Sequence, residues 1–408
     1  MSVLLLVLLL GLSTFLLGLL VWSICKHLLT TDVPSALKHP LKLRIMHCMF
    51  IYAITLGNIL EKLSICSMLS FLRFVQNRLV QKTKNPKVVV TDLHFGTIPV
   101  RLFEPKTMSC SPRRGIIFYH GGGGVLGSLD SYHNLCLFLA LETNSVLLSV
   151  GYRKLPYYHY PVIASDCLNA TIHFLKRLKT YGVDPSQVLV CGESVGGGAA
   201  ALVTQALVGH KDLPQIRAQV LIYPVIQGNN FQLPSTQQNQ NIPFLNLDFL
   251  ITCICKYMAI DISWKDAMLK GYCIPPETWE KYRKWLSSDN IPERFKNTYQ
   301  EPQFPGTLNE AAYLETKHML DVQNSPLLAD DETIAQLPEA FLVSCEHDIL
   351  RDDTLLYKKR LEDQGVPVSW HNVEDGFHGC ILLFDWKSFS FPCSEKILNA
   401  VVSYIKAL

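Results

Sequence analysis

The sequence predicts an α/β fold in which a mostly parallel sheet is covered by helices on both faces. From residue 88 onward, short apolar runs of strand character alternate with stretches of helical character. Such alternation is typical of parallel strands joined by crossover helices. The predicted strands are 88–93, 97–103, 115–119, 145–150, 187–191, 218–223, 340–344 and 366–373. The predicted helices are 165–179, 244–258, 276–286 and 355–364.

The N-terminal residues are strongly apolar. Residues 3–25 carry no charged side chain, and at about 1.5 Å per residue they can cross a bilayer. The stretch is longer than a signal peptide usually needs and lacks a small-residue cleavage site before Lys26. We therefore expect an uncleaved transmembrane signal anchor at 1–25, with a cleaved signal peptide as the alternative. A second apolar stretch, 45–60, is short for a span and is expected to pack on the folded domain or lie in the membrane interface.

The composition excludes some classes of partner. The net charge is only +2 over 408 residues, so the composition does not suggest a nucleic-acid partner, and none is expected. The 13 cysteines are scattered, and none has zinc-site spacing, including the pair Cys253 and Cys255 inside an apolar helix. We expect buried thiols, no metal and no cofactor, and an odd cysteine count leaves at least one thiol outside any internal disulfide.

One short motif, Gly192-Glu193-Ser194-Val195-Gly196, separates the predicted strand 187–191 from the helix-compatible stretch 197–203. A Gly-x-Ser-x-Gly sequence between a strand and a helix is typical of a nucleophile elbow. The tight turn strains the serine backbone and exposes its hydroxyl, and the flanking glycines leave room for the turn. The motif predicts that Ser194 is a nucleophile.

A glycine run follows the strand 115–119 directly. Its spacing differs from that of phosphate-binding loops, whereas a His-Gly-Gly-Gly sequence upstream of Gly-x-Ser-x-Gly is typical of an esterase oxyanion loop. Glycine is needed there because backbone N–H groups must approach the substrate oxygen closely. The predicted donors in this motif, which also contains His120 and Gly123, are the N–H groups of Gly121 and Gly122. The N–H of Val195, directly after the serine, is the third predicted donor.

A nucleophilic serine needs a base, and the base needs an orienting acid, usually in the chain order Ser, acid, His. Two loops follow predicted strands after Ser194, and they contain Asp348 and His378. The carboxyl ends of neighbouring parallel strands meet at one sheet edge, so these side chains are expected to meet. The other candidates for the acid or the base in these loops and strands are Glu346, His347, His371 and Asp375. Asp352 and Asp353, a few residues after Asp348, are further candidates for the acid.

These motifs resemble the hormone-sensitive-lipase group of α/β-hydrolases, and within it the arylacetamide deacetylase family. The resemblance rests on the glycine run, the elbow, the stretch 345–353, Glu374-Asp-Gly-Phe-His378 and the apolar N-terminus. It implies an α/β-hydrolase fold with a helical cap and a Ser194–Asp348–His378 triad. The implied organisation is an anchor at 1–25, cap-forming N-terminal helices at 26–87, a core at 88–224 and 338–408, and a cap insertion at 225–337.

The sequence departs from the family pattern in three places. Glu193 and Val195 stand where the family has Asp and Ala, and the segment 152–157 lacks the family's glutamate. Gly124 and Val125 replace an aromatic residue and a cysteine, which leaves Cys345 without the family's disulfide partner in that loop. These departures bear on substrate range and rate more than on the reaction class.

The function expected from these features is serine hydrolysis of carboxylic esters, or arylamides, of hydrophobic substrates through an acyl-enzyme. The alternative is a non-catalytic ligand-binding protein on the same fold, which would typically lack the nucleophile or the base. The retained residues argue against that alternative.

The resemblance also implies a type II protein of the endoplasmic reticulum membrane with a lumenal catalytic domain. The sequon Asn169-Ala-Thr171 makes Asn169 a glycosylation candidate. The flanking basic residues favour the opposite orientation, but long domains translocate largely regardless of charge. Those residues are Lys26, Lys38, Lys42 and Arg44.

Overall fold

The computed structural model describes residues 3–106, 112–385 and 389–408. Among these residues, eight strands form one sheet: β1 Val88–Phe95, β2 Ile98–Pro105, β3 Arg113–Tyr119, β4 Val146–Val150, β5 Val183–Glu193, β6 Ala218–Ile222, β7 Glu339–His347 and β8 Val368–Phe377. The spatial order is β1-β2-β4-β3-β5-β6-β7-β8. β2 pairs antiparallel with β1 and with β4, whereas every other pair is parallel. The predicted mostly parallel sheet is confirmed.

The helices are α1 Val3–Thr30, α2 Pro40–Lys62, α3 Met68–Leu79, α4 His133–Glu142, α5 Val162–Leu175, α6 Val195–Ala206, α7 Pro234–Gln238, α8 Leu247–Met258, α9 Lys265–Leu269, α10 Pro276–Leu286, α11 Glu310–Thr316, α12 Asp331–Ala335, α13 Arg351–Asp363 and α14 Pro392–Ala407. The predicted helix 165–179 ends earlier, at Leu175, because the chain then enters a 3-10 turn at Leu178–Tyr181. The predicted helix 355–364 begins earlier, at Arg351. The first turn of this helix carries charged residues that are buried. A run of charged residues is more typical of an exposed loop, so the sequence does not indicate a helix there.

Helices cover both faces of the sheet because each strand alternates its side chains between two apolar clusters. In β3, Ile116 and Phe118 join the cluster that contains residues of α4 and α14. Ile117 and Tyr119 join the cluster that contains residues of α5, α6 and α13. This alternation follows from the two-residue period of a strand, and it places the carboxyl ends of the parallel strands at one edge between two layers of helices.

Helices α7 to α12 lie between β6 and β7 in the chain. Apolar side chains of α8, α9 and α11 form a separate cluster around Ile251, Met268 and Ile274, which also includes Leu350 just before α13. Leu286 of α10 and Ile334 of α12 instead join the core cluster with α5, α6 and α13. A smaller cluster joins α3 and α8 to the glycine loop after β3. We call it the loop-covering cluster, and its buried members are Met68, Leu69, Leu72, Val125, Leu155 and Cys253. Through it, an N-terminal helix and a helix of the 225–337 segment both cover the loop.

The first two helices are long and apolar enough to cross a membrane by length and composition. In α1 the buried residues are Leu19, Ser23 and His27, and most other side chains are exposed. α2 is more deeply packed against the domain. The predicted apolar helix at the N-terminus is therefore present, and its exposed surface is compatible with a membrane anchor.

The cysteines of the described chain are all in the thiol form, and most of them are buried. Cys345 is completely buried in the sheet. Cys110 lies outside the described residues. The buried thiols pack as small apolar side chains, as the sequence predicts.

Candidate active site

The turn between β5 and α6 has the strained conformation of a nucleophile elbow. Ser194 has φ 56° and ψ −123°, a combination that costs a non-glycine residue on the order of 1–3 kcal/mol. A Cβ on Gly192 would lie 2.0 Å from the Gly196 carbonyl oxygen, and one on Gly196 would lie 2.2 Å from the Tyr119 carbonyl oxygen. The two glycines are needed because the backbone folds tightly on itself and on the end of β3.

The structure brings Ser194, Asp348 and His378 together at the sheet edge. His378 Nε2 lies 2.8 Å from Ser194 Oγ, and His378 Nδ1 lies 2.8 Å from Asp348 Oδ2. The backbone N–H of Leu350 donates to Asp348 Oδ1 at 2.8 Å. Because β7 and β8 are parallel neighbours, the residues that follow them meet there. This geometry allows the histidine to accept the serine proton while the carboxylate orients the ring.

The competing acids bind other groups. The Asp375 carboxylate pairs with Lys396 at 2.7 Å and with Lys38 at 3.9 Å. Glu346 pairs with Arg351 at 3.1 Å. Both carboxylates therefore pair with cationic side chains, whereas Asp348 pairs with His378. The competing histidines, His347 and His371, lie on β7 and β8.

The charges around His378 stabilise the protonated form of its imidazole ring. Burial lowers the pKa of His378, but the adjacent Asp348 carboxylate, by charge and hydrogen bond, and the charge of Glu193 raise that pKa above its ordinary value. The histidine is 8% exposed and Ser194 is 5% exposed. The imidazolium that forms during proton transfer would therefore be stabilised by a carboxylate in a site with little access to water.

The glycine loop after β3 lies directly beside the elbow. A Cβ on Gly121 would come within 2.0 Å of Glu193 Oε2, so only glycine fits there. Gly122 has φ 107°, and Gly123 lies under Cys253 of α8, whose sulfur would be 3.3 Å from an added Cβ. The His120 ring stacks on Tyr152 with centroids 4.2 Å apart. The loop is thus held between the nucleophile turn and a helix of the 225–337 segment.

Glu193 is the centre of a buried hydrogen-bond network that the sequence did not reveal. The Tyr132 hydroxyl donates to its Oε2 atom. Burial raises the pKa of Glu193, and the neighbouring polar groups of Tyr132, Tyr223 and Gly121 partly oppose that rise. The Tyr223 ring lies against His378, with centroids 4.9 Å apart. Neither tyrosine belongs to a recognisable sequence motif, so only the folded chain shows that they lie beside Glu193 and His378.

Lys154 is a second residue that the sequence analysis did not single out. Its Nζ atom lies 3.3 Å from His120 Nε2. Burial, and then the nearby charge of Arg73, lower the pKa of Lys154 to about 8. Burial and Lys154 together lower the pKa of His120, so the loop histidine stays neutral.

Asn169 is exposed on α5. The hydroxyl of Thr171, the third residue of the sequon, is buried and donates to the Cys167 carbonyl oxygen at 2.8 Å. The asparagine side chain is thus accessible, whereas the threonine is already part of the folded helix.

Comparison with known proteins identifies the family. Residues 116–286 and 273–382 match the family described as having an alpha/beta hydrolase fold. Human arylacetamide deacetylase-like 4 is 66% identical over 403 residues, covering 99% of both chains. The chain belongs to the arylacetamide deacetylase-like group of α/β-hydrolases. The family resemblance inferred from the motifs is thereby confirmed, together with the α/β-hydrolase fold.

Two further similarities extend beyond this arylacetamide deacetylase-like group. Mouse neutral cholesterol ester hydrolase 1 is 34% identical over 92% of this chain and 94% of its own. The crystal structure of carboxyl esterase 2 from the fungus Tuber melanosporum has a TM-score of 0.59 at 21% identity, covering 80% of this chain and 89% of that chain. At that identity the fungal structure supports the fold alone.

Proposed function

We propose that this chain is a serine hydrolase that cleaves carboxylic esters, or arylamides, of hydrophobic substrates through an acyl-enzyme. The observation that carries the proposal is the pair of 2.8 Å contacts that His378 makes with Ser194 and Asp348. Relatives named as an ester hydrolase and as arylacetamide deacetylases support the same reaction class.

In the proposed reaction, Ser194 Oγ attacks the substrate carbonyl carbon while His378 Nε2 takes the hydroxyl proton. The tetrahedral intermediate collapses, its bond to the leaving alcohol or amine breaks, and His378 gives that group the proton. Water then attacks the acyl-enzyme by the same route and releases the acid and free Ser194. Asp348 holds the ring with Nε2 facing the serine and stabilises the imidazolium.

The oxyanion would be stabilised by backbone N–H groups of the glycine loop and of Val195, the first residue of α6. The sequence predicts Gly121 as a donor beside Gly122 and Val195, and an added Cβ on Gly121 would clash with Glu193 Oε2, so this part of the loop lies directly against the elbow. We therefore propose the N–H groups of Gly121, Gly122 and Val195 as the donors to the oxyanion. In this arrangement Gly121 holds the loop against the elbow.

The substrate is proposed to be hydrophobic because the loop is covered by apolar side chains. The loop-covering cluster places Val125 of the loop against Met68, Leu69 and Leu72 of α3 and Cys253 of α8. An apolar acyl group entering there would gain about 0.8 kcal/mol for each buried methylene. We propose that residues 225–337 and the N-terminal helices together form the cap over the site.

The test of this proposal is the labelling of Ser194 by a fluorophosphonate probe. The purified full-length protein should be labelled and should hydrolyse aryl esters, whereas Ser194→Ala should lose both, with a rate loss on the order of 10⁶-fold. Ser186→Ala is the matched control, because that serine is exposed and should leave both signals intact. An unlabelled, inactive wild-type protein would instead favour the non-catalytic binding function.

We further propose that the catalytic domain is lumenal in the endoplasmic reticulum, with α1 as a type II anchor. A new glycosylation sequon in a flexible tag after Leu408 reports this orientation directly. In microsomes the tag should be glycosylated and protected from added protease. An unmodified tag that protease removes from intact microsomes would place the site in the cytosol.

A further inference from the structure

The contact between α1 and α2 fixes how close the folded domain comes to the bilayer. α1 is 28 residues long, whereas about 20 helical residues cross the hydrocarbon layer. The C-terminal turns of α1 must therefore lie at the edge of the membrane or beyond it. The buried residues of α1, namely Leu19, Ser23 and His27, form one face in this half of the helix, because they repeat every four residues.

α2 is the helix that packs on this face of α1. His27 Nδ1 lies 2.9 Å from His47 Nδ1, and Arg44 Nη1 lies 3.2 Å from His27 Nε2. From Leu19 to His27 the axial rise is about 12 Å. With α1 as the proposed anchor, this pairing brings α2 near the boundary between the acyl chains and the headgroups.

The opposite face of α2 is apolar and uncovered. Leu41, Ile45 and Met49 repeat every four residues and are 71%, 49% and 53% exposed. We call these three residues the α2 outer stripe. A helix of a water-facing surface carries polar residues at such positions. The inner face of α2, which includes Leu43 and His47, is buried against the protein.

We propose that the α2 outer stripe is inserted in the bilayer interface next to α1, so that the catalytic domain rests on the membrane. The stripe belongs to a helix that packs directly against α1, and the exposed apolar surface of α1 is one that only lipid can cover along a membrane span. A second copy of the chain is disfavoured, because a stable dimer interface buries about 800 Å² on each partner, far more than three side chains provide.

This placement also gives the substrate a route. α2 leads into α3, and Gly57 of α2 packs against Met68 and Phe71 at the start of α3. Met68 belongs to the loop-covering cluster beside the glycine loop. A lipophilic ester could pass from the bilayer along α2 and α3 to the serine. The route depends on the proposed esterase function, whereas the membrane contact of α2 does not.

The membrane contact is tested by photo-crosslinking of the full-length protein in phosphatidylcholine vesicles. A photoreactive amino acid replaces Met49 in one protein and Leu314 in the other. Leu314 is the matched control, because it is 62% exposed but lies on α11. We expect lipid adducts at position 49 and none at position 314. Adducts with a second copy at position 49, or equal lipid labelling at both positions, would overturn the proposal.

The route is tested with Met49→Asp, a charge placed on the outer stripe, and with Leu314→Asp as its control. For a long-chain ester supplied in vesicles, Met49→Asp should raise KM about tenfold, the scale of one apolar side chain withdrawn from the membrane. For a short water-soluble ester, KM and kcat should stay at the wild-type values. Equal losses on both substrates would overturn the route. Failure of the wild type on both esters would instead reject the esterase function and leave the crosslinking result standing.

Discussion

Asp348 at the end of β7 and Asp353 in the first turn of α13 are both buried carboxylates, yet they bind different kinds of partner. Asp348 contacts the titratable ring of His378 at 2.8 Å. Asp353 accepts hydrogen bonds from the backbone N–H groups of Ile226 at 2.9 Å and Gln227 at 3.2 Å, and from the Gln227 side chain at 3.0 Å. Asp348 contacts an ionisable ring that it can orient, whereas Asp353 joins the start of the 225–337 segment to α13.

Burial alone therefore does not distinguish Asp348, the proposed catalytic acid, from Asp353. Burial raises the pKa of Asp353 to about 7 despite its hydrogen bonds, and a perturbed carboxyl is often taken as a sign of an active site. Its partners are amides, which cannot take part in proton transfer to a serine. The neighbouring Asp352 also has no titratable histidine partner among these contacts. It pairs with the Arg351 guanidinium at 3.0 Å and accepts a hydrogen bond from the backbone N–H of Ser235 at 2.6 Å.

The largest expected effect is a loss of activity on substitution of Asp348 that substitution of Asp352 or Asp353 does not cause. Asp348→Asn keeps the shape of the side chain but favours the wrong tautomer of His378, and kcat should fall by about 10⁴-fold, as for the analogous change in a serine protease. Asp352→Asn and Asp353→Asn are the matched controls. Ester hydrolysis at saturating substrate measures the effect. A greater loss of kcat in either control would show that the acid has been assigned to the wrong region.

The second expected effect is a loss of folding stability on substitution of Asp353. Asp353→Ala leaves three buried N–H donors without their acceptor, and each such donor costs about 1–3 kcal/mol. The free energy of unfolding should therefore fall by about 3 kcal/mol or more, while kcat of the folded protein stays near the wild-type value. Denaturant unfolding followed by circular dichroism measures this loss.

The control for stability is Asp212→Ala, at an exposed aspartate, which should change the free energy of unfolding by less than about 0.5 kcal/mol. If Asp353→Ala unfolds at the same denaturant concentration as this control, the hydrogen bonds to residues 226 and 227 do not hold the segment.

The smallest expected effect concerns Glu193, a third buried carboxylate, which acts on His378 through its charge. Glu193 raises the pKa of His378, and the histidine must be neutral to accept the serine proton. Glu193→Gln removes the charge and lowers that pKa. The rise of kcat/KM with pH should then occur at lower pH than in the wild type, a shift that pH–rate profiles detect.

Glu193→Asp retains the charge and is the matched control, so its pH profile should stay closer to that of the wild type. A Glu193→Gln profile that falls at every pH without shifting would mean that this carboxylate only holds the glycine loop in place.

The sequence by itself determined the elements and motifs whose signals are local. The elbow around Ser194 was recognisable because a strained turn between a strand and a helix requires particular residues at adjacent positions. The α/β alternation followed from short apolar runs. Asp348 and His378 were selected because each directly follows a strand, and parallel neighbours end at one edge of a sheet.

Only the tertiary structure decided the contacts between distant parts of the chain. Glu193 accepts a hydrogen bond from Tyr132, the Tyr223 ring lies against His378, and Gly121 lies so close to Glu193 that no side chain fits there. The start of α13 was missed because its charged residues are buried by distant partners such as Ser235 and Gln227. Side-chain periodicity describes neighbours within one element, whereas these contacts arise from packing between elements, for which a single sequence carries no local signal.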